Sequence, residues 1–387
     1  MSNGNLPAPT LITKPQQLVQ LAGELARHPI LAVDTESNSL FAYQEQVCLL
    51  QFSTPQTDYL VDPLTLADLS PLAPLFRDPK IEKVFHAAEY DLLCLRRDFG
   101  FSFANLFDTM VAARILGRDA VGLGNMLESE FGVQVNKRYQ RANWGQRPLP
   151  ELMLNYARLD THYLIELRTR LQEALIQSQR WPLAAEDFAR LCSYGIEQLE
   201  ADHHPGGHLK TADPWRVSGS YDLPPQNAAV LLELCRYREV RAQALNRPLF
   251  KVIGDRTLLA IASELPESQD ELAQLPGMSY KQVRRHGNKL LKAVRVGLQA
   301  KPIYPPQAPR HDNGFVERLE ALRNWRKKTG RAMGVKSDIV LPRDLLYQLA
   351  ETCPKDYPAL KDILSEVPWR LQHYGDQILA VLADAGT

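Results

Sequence analysis

Ile30-Leu-Ala-Val-Asp-Thr-Glu36 is a short apolar run that ends on two carboxylates. Its apolar, β-leaning residues predict a buried strand. Side chains two positions apart on a strand lie on the same face, so the carboxylates of Asp34 and Glu36 point the same way at its end. Like charges held this close repel each other unless a cation lies between them. A turn or a helix cap would explain Asp34 alone, but it explains the pair poorly.

The residues around this strand alternate between strand and helix patterns. Further short apolar runs predict strands at 47–52, 59–61 and 83–85. Helical spacing is found at 66–76, 87–97, 109–116, 122–131, 149–180 and 183–200. Strands that alternate with helices and then give way to helices predict an α/β fold, a mixed sheet with helices on both faces. The commonest nuclease version of that layout is the ribonuclease-H-like sheet.

Two later motifs carry further carboxylates. Asp91 lies in the early helix that follows strand 83–85, and Tyr156 and Asp160 are four positions apart on one face of a helix. Each has an ordinary alternative, since an Asp favours the first turn of a helix and a Tyr can cap an apolar stripe. Together with the first pair they supply an oxygen-only ligand set, which hard divalent cations prefer. Two cations about 3.5–4 Å apart are the usual arrangement for phosphodiester displacement.

The C-terminal half is almost entirely helical and repeats itself. At a constant offset of 88 residues, Arg238 pairs with Arg326 and Gly287 with Gly375. Two all-α domains of one fold are the simplest explanation. Stretches rich in Pro and Gly separate the segments and predict linkers. The predicted organisation is a first domain at 1–203, a linker at 204–225, a helical domain at 226–298, a linker at 299–311 and a second helical domain at 312–387.

The order of these motifs resembles the DEDD exonuclease superfamily in its tyrosine-bearing branch. The flanking residues Val33-Asp-Thr-Glu36, Phe85-His-Ala87 and Tyr156-Ala-Arg-Leu-Asp-Thr-His-Tyr-Leu164 look like the ribonuclease D family. The helical repeats look like the two HRDC domains that follow its nuclease domain. The resemblance implies a ribonuclease-H-like exonuclease domain followed by two all-α HRDC-type domains. The implied activity is 3′-5′ exoribonuclease hydrolysis of RNA ends that releases 5′-mononucleotides, with precursors of tRNA and other structured RNAs as substrates.

The resemblance also implies a role for each site residue. Asp34 would bridge two divalent ions, Mg²⁺ or Mn²⁺, while Glu36 and Asp160 complete the site of the ion that activates water. Asp91 would support the second ion, and Tyr156 would orient the attacking water, since a hydroxyl with an ordinary pKa near ~10 is a poor base at neutral pH.

Five other positions near these motifs are less certain in role. Ribonuclease D usually has Phe after the first Glu, but this chain has Ser37, which leaves Phe41 or Tyr43 as candidates to stack on the terminal base. His86 is either a neighbour of the carboxylates or a core histidine. Asp108 is predicted to be a helix cap.

A basic stretch in the first helical domain predicts the RNA-binding surface. Residues 226–298 carry 12 Lys or Arg and 7 Asp or Glu. The cations that crowd its last helix are Lys281, Arg284, Arg285, Lys289, Lys292 and Arg295. Just before them, residues 275–279 resemble a helix-hairpin-helix turn, whose backbone N–H groups meet phosphate. Neutralising phosphates gives salt-sensitive affinity that does not depend on sequence. A solvated helix face is the alternative.

Composition excludes several classes of protein. The chain has 45 basic and 45 acidic residues, but residues 1–200 hold six more acidic and residues 201–387 six more basic residues. An acidic half suits cations and a basic half suits a polyanion. No stretch approaches the ~18 apolar residues of a membrane span, and the start lacks signal-peptide features. Five cysteines without a C-x-x-C pair predict a reduced, cytoplasmic protein. Nothing in the sequence indicates a membrane partner or an obligate protein partner.

Two alternative functions follow from the same motifs. The first is the same chemistry on DNA, because the 2′-hydroxyl contacts that distinguish RNA cannot be identified in the sequence. The second is a non-catalytic RNA-binding scaffold. The intact carboxylates argue against the scaffold, because without metal ions they would repel a polyanion.

Overall fold

The computed structural model describes residues 6–196, 199, 212–306 and 313–385. The chain divides into two compact units. Unit 1 comprises Met1–Ser37, Val47–Asp202 and Arg310–Thr387, and unit 2 comprises Asn38–Gln46 and His203–Pro309. The predicted linkers 204–225 and 299–311 lie partly outside the described residues. The three histidines at the start of the first linker, at 203, 204 and 208, lie wholly outside them.

Unit 1 contains a six-stranded sheet in the order β1-β4-β3-β2-β5-β6. The strands are β1 (Thr10–Ile12), β2 (Ile30–Ser37), β3 (Val47–Ser53), β4 (Asp58–Val61), β5 (Glu82–Phe85) and β6 (Leu106–Asp108). The pairs β2–β3 and β3–β4 are antiparallel, whereas β1–β4, β2–β5 and β5–β6 are parallel. The predicted mixed sheet and its four predicted strands are confirmed. The edge strands β1 and β6 were not predicted, because three residues carry too little pattern to recognise.

Nine helices are described in the part of unit 1 that contains the sheet. They are α1 (Pro15–Leu25), α2 (Ala73–Arg77), α3 (Glu89–Phe99), α4 (Thr109–Ile115), α5 (Leu123–Phe131), α6 (Glu151–Ala157), α7 (Leu159–His162), α8 (Leu164–Gln177) and α9 (Trp181–Leu191). The helix predicted over 66–76 is wrong in extent, because Pro71 opens a 3₁₀ turn and Pro74 opens α2, and proline fits only the first turn of a helix. The single helix predicted over 149–180 is divided into α6, α7 and α8.

Helices cover both faces of the sheet, as predicted. Leu31 and Val33 of β2 belong to a core shared with α1 and α3. Ala32, between them, belongs to the opposite core, which it shares with α4, α8 and α9. Because side chains alternate along a strand, Asp34 and Glu36 follow Ala32 onto that second face. The short helix α7 packs against β2 and β3.

Two helical repeats follow the sheet domain. The first lies in unit 2 and consists of α10 (Pro225–Leu245), α11 (Leu249–Val252), α12 (Asp255–Glu264), α13 (Gln269–Ala273) and α14 (Tyr280–Gln299). The second lies in unit 1 and consists of α15 (Asn313–Met333), α16 (Ser337–Val340), α17 (Arg343–Thr352), α18 (Tyr357–Ile363) and α19 (Pro368–Asp384). The bounds of α10, α11 and α12 recur 88 residues later as those of α15, α16 and α17, which confirms the predicted repeat.

Equivalent side chains in the two repeats make equivalent contacts. Gln282 Nε2 donates a hydrogen bond to the carbonyl oxygen of Val252 at 3.2 Å. Arg370, 88 residues later, donates from Nε to the carbonyl oxygen of Val340 at 3.1 Å. Val340 is itself the equivalent of Val252. The longer Arg side chain therefore keeps this contact and leaves its guanidinium Nη atoms for other partners.

Arg370 joins the second helical repeat to the sheet domain within unit 1. Its side chain is fully buried, and Nη1 lies 3.0 Å from Oε2 of Glu186 and 2.8 Å from Oδ1 of Asp187, both on α9. The backbone N–H groups of Trp369 and Arg370 also donate to the Glu186 carboxylate, which satisfies the start of α19. Ile339 completes the junction by packing into the core of α4, α8 and α9.

Two predictions from composition can be compared with the structure. Cys48, Cys94 and Cys235 are buried, as expected of core thiols, whereas Cys192 and Cys353 are partly exposed. In the described part of the chain, no helix is both long and apolar enough to cross a membrane.

Candidate active site

The central strand β2 carries two carboxylates at its end. Asp34 and Glu36 are partly exposed, whereas Ala32 and Val33 before them are fully buried. The pairing of β2 with β3 shifts register between Glu36 and Ser37. Such an irregularity ends regular pairing and redirects the strand. The apolar start of β2 therefore anchors it in the core, and the carboxylates emerge where the ladder ends.

Asp91 reaches this strand from α3. The helix starts after Ala87, whose φ of 62° lies in the left-handed region and turns the chain sharply after β5. Asp91 is 7% exposed, and the Thr35 hydroxyl donates a hydrogen bond to its Oδ1. Thr35 has the parity of Leu31 and Val33 and so faces the side of β2 that α3 covers, where this bond ties Asp91 to the strand. The charge of Asp91 raises the pKa of Asp34 and of Glu36, which shows that it lies within electrostatic reach of both.

Asp108 is the predicted helix cap, and the structure confirms it. Its Oδ1 accepts hydrogen bonds from the backbone N–H groups of Met110 and Val111 in α4. The same carboxylate accepts from the N–H groups of Ala87 at 3.1 Å and Ala88 at 2.7 Å. Asp108 therefore holds the turn that places α3, in addition to capping α4.

Tyr156 and Asp160 come from consecutive short helices, α6 and α7. The break between them lies at Arg158 and leaves both side chains on the side of the sheet that carries Asp34 and Glu36, as their mutual electrostatic effects indicate. Thr161 anchors α7 because its hydroxyl lies 2.7 Å from the hydroxyl of Ser53 on β3. The division of the predicted long helix thus serves to position Asp160.

A second contact holds the other end of α7. His162 Nδ1 lies 2.9 Å from Oδ2 of Asp58 on β4, and Asp58 accepts a hydrogen bond from Ser53 at 2.7 Å. Sequence reasoning missed these supporting residues. The signal was present, because Thr161 and His162 directly follow Asp160 in the quoted motif.

The pKa of each of the four carboxylates is raised, and for Asp34, Glu36 and Asp160 part of the shift comes from the charges of the other acidic residues in the group. Burial is the largest cause for Asp34 and Glu36, and the negative charges of Asp91 and Asp160 raise both pKa values further. Burial raises the pKa of Asp91 to about 7, although the hydrogen bond from Thr35 opposes the shift. Burial and the charge of Asp91 raise the pKa of Asp160 to about 8. The metal-free site is therefore electrostatically strained and favours protons or cations.

Tyr156 is held as a neutral hydroxyl. Burial, followed by the charges of Asp160, Glu36 and Asp34, raises its pKa well above the ordinary value. Its ring packs against Trp144 and Tyr139, with centroids 6.1 and 5.7 Å away. A tyrosine in this environment can donate and accept hydrogen bonds but does not ionise near neutral pH.

His86 and the two aromatic residues of the loop after β2 are the candidates whose roles the sequence leaves open. His86 Nδ1 lies 2.9 Å from the Thr109 hydroxyl, and burial lowers the pKa of its imidazole. Phe41 and Tyr43 belong to unit 2, where Lys251 Nζ lies 3.9 Å from the ring centroid of Phe41. The Tyr43 hydroxyl donates to Glu239 at 2.5 Å. A base-stacking role for either aromatic residue remains a prediction.

The predicted basic surface lies on α14 in unit 2. All six cations named from the sequence are exposed, and none forms an ion pair with another described residue. Ser279 caps the helix through the backbone N–H of Gln282. The turn before this helix requires glycine at position 277 for two reasons. The φ of Gly277 is 84°, in the left-handed region, and a Cβ atom at this position would lie 2.1 Å from Thr257 Oγ1.

The carboxylate cluster fits a hard divalent cation by its chemistry. Among the described residues, no three His, Cys, Asp or Glu side chains are gathered closely enough to hold a metal ion as they stand. The ligand set is nevertheless made only of oxygens, and the mutual pKa shifts place the four carboxylates within electrostatic reach of one another. Asp34, Glu36, Asp91 and Asp160 are the residues that would hold such ions.

Comparison with known proteins identifies the family. A family model described as 3′-5′ exonuclease matches residues 9–176, and the HRDC domain model matches residues 227–294 and 316–382. Ribonuclease D from Pseudomonas paraeruginosa is 30% identical over 375 residues, which cover 95% of this chain and 96% of that protein. Protein RRP6-like 3 from Arabidopsis thaliana is 34% identical over 66% of this chain, but the match spans only 30% of the plant protein.

A solved structure extends the likeness to the whole fold. Escherichia coli RNase D superimposes with a TM-score of 0.68 at 25% identity, over 98% of this chain and 99% of that one. Exonucleases of this family generally depend on divalent metal ions. Matched along nearly its full length in sequence and in fold, the chain belongs to the ribonuclease D family and is a 3′-5′ exoribonuclease.

Proposed function

We propose that this exoribonuclease removes nucleotides one at a time from RNA 3′ ends with two divalent cations, Mg²⁺ or Mn²⁺, in each active site. The observation that carries the proposal is a group of four carboxylates around the end of β2 whose pKa values are all raised, those of Asp34, Glu36 and Asp160 partly by the charges of the others. Such a group is costly unless cations compensate it. A bound pair of divalent cations lowers the pKa of water and stabilises the leaving 3′-oxygen.

The side chains divide the remaining work. Asp34 would ligate both ions, Glu36 and Asp160 would complete the site of one ion, and Asp91 would support the other. Tyr156 orients the attacking water through its neutral hydroxyl, which supports positioning rather than proton abstraction. The product of each cycle is a 5′-mononucleotide.

The substrate is held by the first helical repeat. Lys281, Arg284, Arg285 and Lys289 of α14 bind RNA phosphates, which is supported by their exposure and by the lack of ion pairs to other described residues. E. coli RNase D is described as an exoribonuclease involved in structured RNA processing. By that likeness the substrates are structured RNAs, and among these we propose tRNA precursors with 3′ trailers.

The domain bounds belong to the same proposal. They are an exonuclease domain at 1–203, a first HRDC domain at 226–298 and a second at 312–387, with linkers at 204–225 and 299–311. The family matches at 9–176, 227–294 and 316–382 support this division. We place the protein in the cytoplasm and expect it to act without an obligate protein partner.

The test is a time course on a 5′-labelled tRNA precursor with a short 3′ trailer, beside single-stranded DNA of equal length. We expect a ladder that shortens from the 3′ end of the RNA, with little trimming of the DNA. Equal trimming of both substrates would establish a general exonuclease instead. No trimming of either substrate in Mg²⁺ or Mn²⁺ would favour the non-catalytic scaffold.

A further inference from the structure

Gln51 is a fully buried polar side chain for which the described part of the chain offers no hydrogen-bond partner. It lies in the middle of β3 with 0% exposure, and neither Oε1 nor Nε2 has a partner among the described residues. A carboxamide offers two donors and an acceptor, and leaving them unpaired in the interior destabilises the fold. An apolar side chain of the same size would avoid that cost, so packing alone does not account for a glutamine here.

The strand register places Gln51 directly opposite Asp34. In the antiparallel β2–β3 pair, Asp34 faces Gln51 and Glu36 faces Leu49. Side chains opposite each other on one face of such a pair have Cβ atoms about 4.5–5.5 Å apart. Gln51 therefore shares the face of the β2 carboxylates, next to the residue predicted to bridge the ions.

The helix that carries Asp160 closes over the same position. Ser53, two residues along β3 and hence on the face of Gln51, contacts the hydroxyl of Thr161, the residue after Asp160. On β4, the neighbour of Gln51 is Leu60, which belongs to the buried cluster around Tyr156. The unpaired carboxamide is thus enclosed by the elements that supply Asp34, Tyr156 and Asp160.

We propose that Gln51 is a positioning residue for the divalent-cation site, and that its carboxamide hydrogen-bonds to the oxygens of the cation-loaded assembly around Asp34. The inference rests on the proposed function. Residues that hold metal ligands in place from behind fix the orientation of those ligands and tune their affinity for the ion. The oxygens of the loaded site would give the carboxamide the hydrogen-bond partner that no described protein atom supplies.

The test separates a positioning role from a structural one by comparing Gln51→Leu with the wild type. Leucine has a similar volume and no hydrogen-bonding groups. We expect affinity for Mn²⁺, measured by isothermal titration calorimetry, to fall about 10–100-fold. We also expect the melting temperature of the metal-free protein to stay the same or rise, because an unpaired amide has been removed. A structural role would lower the melting temperature instead.

Two further variants make the result interpretable. Leu60→Met alters the other strand neighbour of Gln51 with little change in volume, and it should leave Mn²⁺ affinity at the wild-type value. Gln51→Met also lacks the carboxamide, and it serves as the test variant if the leucine protein does not fold. It should show the same loss of Mn²⁺ affinity.

One result would overturn the inference: wild-type Mn²⁺ affinity in the folded Gln51 variant, whether or not its melting temperature falls. Failure of the proposed function looks different, because the wild type itself would then bind no Mn²⁺ or Asp34→Asn would bind it equally well.

Discussion

Asp34, Glu36, Asp91 and Asp160 are acidic side chains placed where their negative charges are least favourable. Burial raises each pKa. Repulsion within the group adds to the shift for Asp34, Glu36 and Asp160, and the charge of Asp108 adds to it for Asp91, which the hydrogen bond from Thr35 offsets only in part. The protein thus stores unfavourable electrostatic energy at this point of the sheet. Cation binding or protonation relieves this unfavourable energy. Its effect on the stability of the protein can therefore be measured without any substrate.

The stability of the metal-free protein should depend on pH. A carboxylate whose pKa is raised on folding stabilises the protein while protonated, and this contribution is lost as pH rises through the folded-state pKa. With Asp91 at about 7 and Asp160 at about 8, the melting temperature in EDTA should fall as the pH is raised from about 5 to about 8.5. Added Mg²⁺ should remove most of the fall.

The control for this pH dependence is Asp160→Asn. The amide is isosteric but does not titrate, so the fall in melting temperature should become shallower. An unchanged slope would mean that groups outside the carboxylate cluster cause the pH dependence.

Tyr156→Phe isolates the hydroxyl at the active site. The ring should still pack against Trp144, so the fold and Mn²⁺ affinity should be unchanged. Loss of the group that orients water should lower kcat by about 10²-fold, with KM little affected. Tyr139→Phe is the matched control because its ring also contacts Tyr156, and it should retain wild-type kcat. Equal losses in both variants would assign Tyr156 to packing.

At the scale of elements, long periodic segments were predictable and short ones were not. The offset of 88 residues predicted the helical repeat because α10 to α12 are reproduced as α15 to α17 without an insertion. The edge strands β1 and β6 have three residues each, too few to show alternation. The breaks around α7 were also missed, because tertiary contacts with β2 and β3, rather than a helix breaker, end these helices.

The basic helix α14 should control RNA affinity. Arg284→Glu combined with Arg285→Glu should weaken RNA binding roughly tenfold or more at low salt. The affinity should also depend less on salt, because the slope of log affinity against log salt concentration falls by about 0.7 for each lost phosphate contact. The melting temperature should not change, since both side chains are exposed. Fluorescence anisotropy over a salt series measures both quantities.

The repeat itself supplies the control for this experiment. Gln372 and His373 occupy the equivalent exposed positions of α19. Replacing both by Glu introduces the same acidic side chains in the second repeat, and RNA affinity should remain near the wild-type value. If this pair weakened binding as much as the α14 pair, the assignment of RNA binding to α14 would be wrong.

At the scale of the whole molecule, the two repeats have diverged in surface chemistry. Each cation of α14 is replaced by an uncharged residue or His at the equivalent position of α19, namely Trp369, Gln372, His373, Gln377, Ala380 and Ala383. The second repeat instead directs Arg370 into α9. It is therefore an integral part of unit 1.

Arg370→Gln tests that junction with the residue that the first repeat carries at this position, Gln282. The change leaves Glu186 and Asp187 without their partner, and breaking a buried pair in this way costs about 3–5 kcal/mol. We expect a clear fall in the denaturant midpoint. Arg190→Gln breaks the exposed pair with Asp344 and should cost only about 0.2–1 kcal/mol. Equal costs would mean that Arg370 does not hold the junction.

The sequence was sufficient to name the candidate acidic residues but not the contacts that support them. Asp34 and Glu36 stand out because they end an apolar strand run, and Asp160 stands out because it lies four positions after Tyr156 on one helix face. Gln51 and Ser53 gave no such signal, because their importance depends on strand register. Register depends on pairing partners that are distant along the chain, so only the folded sheet reveals it.

The most direct test of the central claim is cleavage of a 5′-labelled RNA by metal-stripped protein as Mn²⁺ is added back. The account predicts no cleavage in EDTA, a 3′-shortened ladder when Mn²⁺ is restored, and none at any Mn²⁺ concentration for Asp34→Asn, which should still bind RNA. Cleavage in EDTA, or by Asp34→Asn at the wild-type rate, would contradict a cation-dependent carboxylate site.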